Sequence, residues 1–171
     1  EKELGSIVNF YVTPVTRTEF LVGKLLPYVA LAMINFLLMC AFAVTAFGVP
    51  ITGSFATLAL AALLFSLCST GMGMLASTVT RSQIAAMFFA MIGTMLPAVE
   101  FSGLINPVGS LEGVGRAIGE VYPATYMFLA SRGVFSKALG FADLESTIRP
   151  LALAVPVILG AAIALLRKQE A

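Results

Sequence analysis

The sequence predicts an all-α protein, a polytopic membrane helix bundle, and three observations support that prediction. Hydrophobic residues make up 59% of the 171 residues, whereas charged residues make up only 11%. The mean hydropathy is +0.98, and long runs of the chain carry no charge. A typical soluble domain is about 45–50% apolar and about 25% charged. The chain therefore has too little polar surface to cover a globule in water, and we interpret it as an integral membrane segment.

The longest uncharged run extends over residues 25–80. As a single helix it would be roughly 84 Å long at about 1.5 Å per residue, whereas the hydrocarbon core is about 30 Å thick. It must therefore fold back, and the glycines and proline of residues 47–54 mark the turn. This pattern predicts a first span near residues 21–46 and a second near residues 55–79.

Two shorter uncharged runs complete the predicted bundle. The third span is expected at residues 83–99, before Glu100, and the fourth at residues 147–166, before Arg167 and Lys168. Both are close to the shortest length that crosses a bilayer. Four crossings place the two ends of the chain on the same side of the membrane.

The basic residues indicate which side that is. Six of them would share a side with the chain ends, and the other four lie in a long segment of mixed charge, which counts less in the positive-inside rule. We therefore expect both ends of this segment in the cytoplasm. The six are Lys2, Arg17, Lys24, Arg81, Arg167 and Lys168, and the four are Arg116, Arg132, Lys137 and Arg149.

Residues 1–13 are predicted to form a short amphipathic helix on the cytoplasmic face. Its apolar residues recur at helical spacing, and Pro14 ends it. Thr16 and Glu19 then form a capping-box pattern that opens the first membrane helix. On spacing alone, an interfacial anchor without a partner is an equally good interpretation. The apolar residues are Leu4, Ile7, Val8 and Tyr11.

Polar residues inside the spans are few, and we interpret them as helix-packing residues. Asn35 is expected to donate across to a neighbouring helix, and Ser69, Gly73 and Ser77 recur every four residues, a spacing that lets helix backbones approach closely. Glu100 is the one ionisable residue near a span interior. This scarcity argues against a proton- or ion-coupled carrier, which needs buried acids or bases.

Residues 101–146 form a long outer segment that neither spans the membrane nor resembles a soluble domain. Glu112, Arg116 and Glu120 recur every four residues and predict a helix with a salt-bridge stripe. A second helix is expected from Pro123 to about Leu139. Two amphipathic helices that dip into the outer leaflet fit this pattern. The opposite, apolar face of the first helix comprises Leu111, Val114, Ile118 and Val121.

Several function classes are excluded by residue type. The net charge of +1 does not indicate the basic surface that nucleic-acid binding requires. The absence of histidine removes Ser-His-Asp triads and most zinc sites, so no catalytic, metal or cofactor-binding residue is predicted. Cys40 and Cys68 lie in apolar runs as small hydrophobes. Gly23-Lys24 does not complete a phosphate-binding loop, because Thr18 and Leu25 stand where that motif needs a glycine and a hydroxyl.

Short motifs along the whole chain resemble the C-terminal membrane part of an ABC-2 type transporter permease, as in bacterial multidrug-type exporters. They cover the cytoplasmic start, the turn into the first span, the end of the third span and the outer helices. In order, they are Glu1-Lys2-Glu3-Leu4-Gly5-Ser6, Thr13-Pro14-Val15 with Glu19, Gly23-Lys24-Leu25-Leu26-Pro27-Tyr28, Phe101-Ser102-Gly103 with Pro107, and Tyr122-Pro123 with Arg132-Gly133-Val134-Phe135-Ser136-Lys137. Two positions depart from the family pattern, Val8 in place of an acid and Glu112 in place of a proline.

The resemblance implies a mechanism and a set of partners. The chain would be a non-catalytic permease part of a bacterial inner membrane exporter, and its four spans would be the family's third to sixth. ATP and Mg would be bound by a partner ABC ATPase subunit or domain, and a second permease subunit, identical or related, would complete the pathway. The start at Glu1 rather than Met agrees with a piece of a longer polypeptide, whose N-terminal part would carry two more spans.

The resemblance also assigns roles to individual residues. The ATPase-coupling helix would use Glu1, Glu3, Leu4, Gly5, Ile7, Val8, Tyr11 and Pro14. The outer re-entrant segment would use Phe101, Ser102, Gly103, Pro107, Pro123, Arg132 and Gly133. Two alternatives are an intramembrane enzyme, for which no converging His, Asp or Cys residues are visible, and a membrane anchor or scaffold, which uses the same apolar residues.

Overall fold

The structure, a computed structural model, describes residues 16–80, 82–105 and 107–165, and every regular element in these ranges is a helix. The predicted coupling helix at 1–13, together with Pro14, lies outside the described residues. The elements in chain order are α1 (Arg17–Thr45), α2 (Phe55–Val79), α3 (Gln83–Ala90), a π-helical turn (Met91–Met95), α4 (Leu96–Phe101), a 3-10 turn (Val108–Ser110), α5 (Gly113–Val121), α6 (Pro123–Lys137) and α7 (Phe141–Leu165).

Within the described residues, four stretches of helix are long and apolar enough to cross a membrane. They are Thr18–Thr45, Phe55–Val79, Gln83–Phe101 and Phe141–Leu165. This confirms the predicted all-α class with four membrane-spanning helices. We call Gln83–Phe101, which joins α3, the π-helical turn and α4, the third span.

Helix α1 begins as its capping box predicts. The Thr16 side chain accepts a hydrogen bond from the main-chain N–H of Glu19 at 3.2 Å, and the Glu19 carboxylate accepts from the N–H of Thr16 at 2.8 Å. Two amide groups that no helical carbonyl can reach are thereby satisfied. One turn later, the Lys24 ammonium lies 4.7 Å from the centre of the Phe20 ring.

The connection between α1 and α2 packs against the C-terminal end of α6. Gly53 N–H donates to the Val134 carbonyl at 2.9 Å, and Ser54 N–H donates to the Leu139 carbonyl at 3.1 Å. A Cβ atom on Gly53 would lie 2.6 Å from the Leu139 carbonyl oxygen, so this approach requires glycine. We call this end of the bundle, with residues 46–54, 102–105 and 107–140, the loop end.

The centre of the bundle is α2, which packs against α6 and α7 through small side chains. Ala61 and Cys68 of α2 and Ala130 of α6 are fully buried with Leu151 of α7. A Cβ atom on Gly71 would lie 2.9 Å from Ile158 Cγ2 of α7. Small residues let the backbones of these helices come close, which is how helices associate when lipid is the solvent.

At the opposite end, the start of α1 meets the end of α7. Leu21 and Ala162 form one buried cluster, and Met74 and Leu75 of α2 pack against it. The two ends of the described chain therefore lie at the same end of the bundle. We call this the terminal end.

The third span differs from the regular helix that its composition predicts. Met91–Met95 is π-helical, and none of its residues is buried within the described chain. Pro97 follows this turn; it has no N–H, and its ring would collide with the carbonyl of Gly93 in a regular α-helix. A wider turn removes that collision.

Two further helix boundaries differ from expectation. Helix α7 begins at Phe141 rather than 147, because Glu145 and Arg149 form an exposed ion pair at 2.6 Å that supports an extra polar turn. Helix α5 begins after Glu112, which is its N-cap residue, so the predicted charge stripe reduces to the exposed pair of Arg116 and Glu120 at 2.7 Å.

Candidate functional site

The predicted ATPase-coupling residues lie outside the described part of the chain, so their placement stays a prediction. They are Glu1, Glu3, Leu4, Gly5, Ile7, Val8, Tyr11 and Pro14. The other predicted site residues are described. Most of them lie at the loop end, where the third span meets α5 and α6, the two helices that we call the helix pair.

The Phe101-Ser102-Gly103 motif turns the chain at the end of the third span. Ser102 is buried, and Gly103 has a φ of +88°, which only glycine adopts readily. The turn brings α5 back so closely that a Cβ atom on Gly119 would lie 2.6 Å from the Phe101 carbonyl oxygen and 3.0 Å from Val108. The motif thus fixes the helix pair directly against the backbone of α4.

Pro107 and Pro123 each begin a short element of the same region. Pro107 is exposed, and its carbonyl accepts hydrogen bonds from the N–H of Ser110 at 2.9 Å and from its hydroxyl at 2.7 Å, which closes the 3-10 turn. Pro123 is buried in the first turn of α6, where its missing N–H costs no helical hydrogen bond.

A set of hydroxyl groups secures the junction between α5 and α6. The Tyr122 hydroxyl donates to the main-chain carbonyl of Thr94, in the π-helical turn, at 2.7 Å. Thr125 Oγ1 donates to the Gly119 carbonyl at 2.7 Å, and the Tyr126 hydroxyl donates to the Glu120 carbonyl. Burial raises the pKa of the Tyr122 phenol, so it stays a protonated donor.

Gly133 and Arg132 have different environments although they are adjacent. Gly133 is buried, and a Cβ atom on it would lie 3.0 Å from Leu144 Cδ2 of α7, so it sets the distance between α6 and α7. Arg132 is exposed. Helix α6 ends at Lys137. The next residue, Ala138, has a φ of 54°, a left-handed conformation that glycine usually adopts at this position.

Among the described residues, the predicted packing residues lie outside the buried core of the bundle. Asn35, Ser69 and Ser77 are exposed, and a Cβ atom on Gly73 would meet no atom within 4 Å. The close contact of α2 is made instead through Gly71. Spacing alone could not separate these faces, because small residues occur all around α2. Packing of the Ser69, Gly73 and Ser77 row against a helix outside the described residues stays a prediction.

A pocket of about 150 Å³ lies beside the helix pair, and no pattern in the sequence predicts it. It opens between α2, the third span and the junction of α5 with α6. Its walls include Phe65, Ser69 and Met72 of α2, Met95 and Ala98 of the third span, and Tyr122. Within the ranges that the structure describes, no cluster of His, Cys, Asp or Glu could hold a metal ion.

The chain is similar to known transport proteins. Residues 1–136 match the family model of the ABC-2 type transporter. The chain is 38% identical over 135 residues to "Probable multidrug ABC transporter permease YbhS" of Escherichia coli (strain K12), a match that covers 79% of this chain and 36% of the relative. It is 23% identical over 169 residues to "Probable multidrug ABC transporter permease YbhR" of the same strain, covering 99% of this chain and 46% of the relative.

A more distant relative is "ABC transporter G family member 20" of Dictyostelium discoideum, 25% identical over 140 residues that cover 82% of this chain and 19% of the relative. No solved structure matches the chain closely. The chain spans less than half the length of these curated relatives. The family model covers most of the chain, including three of the four membrane-length helices found among the described residues. By this match the chain belongs to the ABC-2 type transporter family.

Proposed function

We propose that the chain is the C-terminal membrane part of a permease subunit that moves a lipophilic or amphipathic molecule outward across a bacterial inner membrane. The single observation that carries the proposal is the match of residues 1–136 to the ABC-2 family, in a chain with four helices of membrane-spanning length. The names of the two Escherichia coli relatives support a drug-like molecule as cargo. A lipid or a polysaccharide is the other class of cargo that this proposal includes.

The energy for transport would come from a partner ABC ATPase that binds ATP and Mg, while this chain performs no hydrolysis. The described spans support this division, since they hold no buried acid or base that could couple transport to an ion gradient. A second permease subunit, identical or related, would form the pathway with this one.

The coupling helix at residues 1–13 would receive the movement of the ATPase. The terminal end supports this role, because the start of α1 packs with Leu21 against Ala162 of α7 and against α2. A movement of the chain before Thr16 would therefore move α1, α2 and α7 together as one rigid body. The re-entrant segment at residues 101–146 would face the opposite side of the membrane.

The coupling assignment is tested by reversing the acidic charges of residues 1–13 in the full-length protein. The double variant Glu1→Lys and Glu3→Lys should lose co-purification with the ATPase and lose substrate efflux. Glu112→Lys, an exposed charge reversal at the loop end, is the matched control and should keep both. Unchanged association and efflux in the double variant would overturn the coupling role, and efflux from vesicles without any ATPase would overturn the ATP-driven permease.

The orientation is tested with single cysteines and a membrane-impermeant thiol reagent on intact cells. Phe47→Cys is a good outer position, because Phe47 is 72% exposed in the α1–α2 connection. Thr18→Cys, exposed at the terminal end, is the inner position. We expect labelling of the first and not of the second, and the reverse pattern would place the chain ends outside.

A further inference from the structure

The pocket beside the helix pair is small, has mostly apolar walls, and is open on one side. Its volume is about 150 Å³, and Phe65, Met72, Met95 and Ala98 supply apolar walls. Enclosed apolar cavities of about this volume hold one aromatic ring, so this open pocket has room for a group of that size. Methionine side chains adapt their shape to such a group and make favourable contacts with aromatic rings.

One polar group on the wall has no partner in the described chain. A serine or threonine inside a helix commonly donates to the carbonyl three or four residues earlier, as Ser66 does to Leu63 at 2.8 Å. Ser69 makes no such bond, although it lies on the same helix and lines the pocket. Within the described chain this exposed hydroxyl is therefore open to a ligand that carries one hydrogen-bonding group. Such a ligand would take the place of the neighbouring helix that the Ser69, Gly73 and Ser77 row is otherwise predicted to meet.

The rim of the pocket is held in place by a tertiary hydrogen bond. The Tyr122 hydroxyl bonds to the carbonyl of Thr94, and both residues line the pocket. The π-helical turn that contains Thr94 forms part of the wall, and single π-helical turns within α-helices occur frequently at functional sites. The pocket is thus a preformed cavity between three elements.

We propose that this pocket binds the apolar part of a membrane-dissolved lipophile: one aromatic ring or short alkyl segment with a hydrogen-bonding group that reaches Ser69. The source is either the acyl chain of a bilayer lipid or a free lipophilic molecule, which share this chemistry. The inference goes beyond the proposed function, because it concerns binding alone and requires neither ATP nor transport.

The test uses the full-length protein in phosphatidylcholine nanodiscs without nucleotide. One probe is a phenyl diazirine with a hydroxymethyl group, and the other is phosphatidylcholine with a diazirine in its acyl chain. After illumination, mass spectrometry measures adducts on Met72 and Met95, with Met39, 64% exposed on α1, as the reference for non-specific labelling. Labelling of the pocket should saturate with probe concentration, whereas labelling of Met39 should rise linearly.

Two variants connect the labelling to the pocket. Ala98→Phe places a ring inside the cavity and should reduce pocket labelling about tenfold, whereas Ala85→Phe, an exposed position in α3, should not. Ser69→Ala should weaken binding of the hydroxymethyl probe about fivefold, the value of one hydrogen bond, and should leave an unsubstituted phenyl diazirine unaffected. Displacement of the probe by toluene tests the unaltered protein, so the result does not depend on the folding of a variant.

The outcomes separate the two sources. Saturable labelling by the free phenyl probe alone identifies a free lipophile as the occupant, and labelling by the acyl-chain probe identifies a bilayer lipid. Labelling of Met72 and Met95 that rises linearly like that of Met39, with no displacement by toluene, would overturn the proposal. Loss of efflux would not affect it, so its failure is distinguishable from that of the proposed function.

Discussion

The hydroxyl of Tyr122 donates a 2.7 Å hydrogen bond to the main-chain carbonyl of Thr94, and this bond joins the helix pair to the π-helical turn of the third span. The two residues are 28 positions apart in the chain. Pro97, which has no N–H to donate, interrupts the regular hydrogen bonding of this helix three residues after Thr94, and the Tyr122 hydroxyl adds a tertiary hydrogen bond at the same turn. The irregular turn and the tyrosine therefore belong to one structural unit.

Removing the Tyr122 hydroxyl should destabilise this unit. In Tyr122→Phe this half-buried hydrogen bond to the Thr94 carbonyl is lost, which costs about 1–2 kcal/mol of unfolding free energy. Tyr28→Phe is the matched control, since Tyr28 is 63% exposed on α1. The measurement is denaturant unfolding of the full-length protein in detergent, and equal stability of the two variants would contradict the role of this bond.

The same bond predicts a pH dependence with a definite sign. Burial raises the pKa of the Tyr122 phenol above its usual value near 10, so its neutral form is favoured in the folded protein. The contribution of Tyr122 to stability is fully present below the pKa that the phenol has in the unfolded protein. It is lost as the pH rises through the higher pKa that the phenol has in the folded protein. The stability difference between wild type and Tyr122→Phe should therefore stay constant from about pH 6 to 9 and decrease above about pH 10. A stability difference that already decreases at a pH lower than 9 would contradict this prediction.

Gly119 should be one of the least tolerant glycines of the helix pair. A Cβ atom there would lie 2.6 Å from the Phe101 carbonyl oxygen, which belongs to the backbone and cannot rotate away. Gly119→Ala should cost about 1–3 kcal/mol through overpacking. Gly160→Ala in α7 is the control; it meets no atom within 4 Å and should be neutral or slightly stabilising. Thermal unfolding of the two full-length variants checks the difference.

The exposed small-residue row of α2 offers a test of its predicted packing. If Ser69, Gly73 and Ser77 contact another helix in the full-length protein, Gly73→Leu should lower its stability by about 1–3 kcal/mol, although the described chain leaves space there. Gly71→Ala, whose Cβ would lie 2.9 Å from Ile158, is the positive control. A Gly73→Leu variant as stable as wild type would show that the row faces lipid.

Much of the fold could be predicted because the membrane imposes strong constraints on composition and length. The turn at 47–54, the capping box of Thr16 and Glu19, and the helix break at Pro123 follow from local chemistry. Helix α7 begins before the predicted span at 147–166, because Glu145 and Arg149 add polar helical residues ahead of the apolar run. The coupling residues could be assigned only through resemblance, since their spacing also fits an interfacial anchor.

The sequence by itself determined an all-helical membrane chain with four spans and carried the motifs of its family. Only the tertiary structure decided which faces meet: Gly71 rather than Gly73 against α7, Gly119 against Phe101, and Tyr122 on Thr94. The physical reason is that an amphipathic pattern marks the buried face of a soluble helix, whereas α2 is apolar on every side. Lipid and protein neighbours are then equally apolar, so close fit between specific side chains, and not periodicity, selects the contacts.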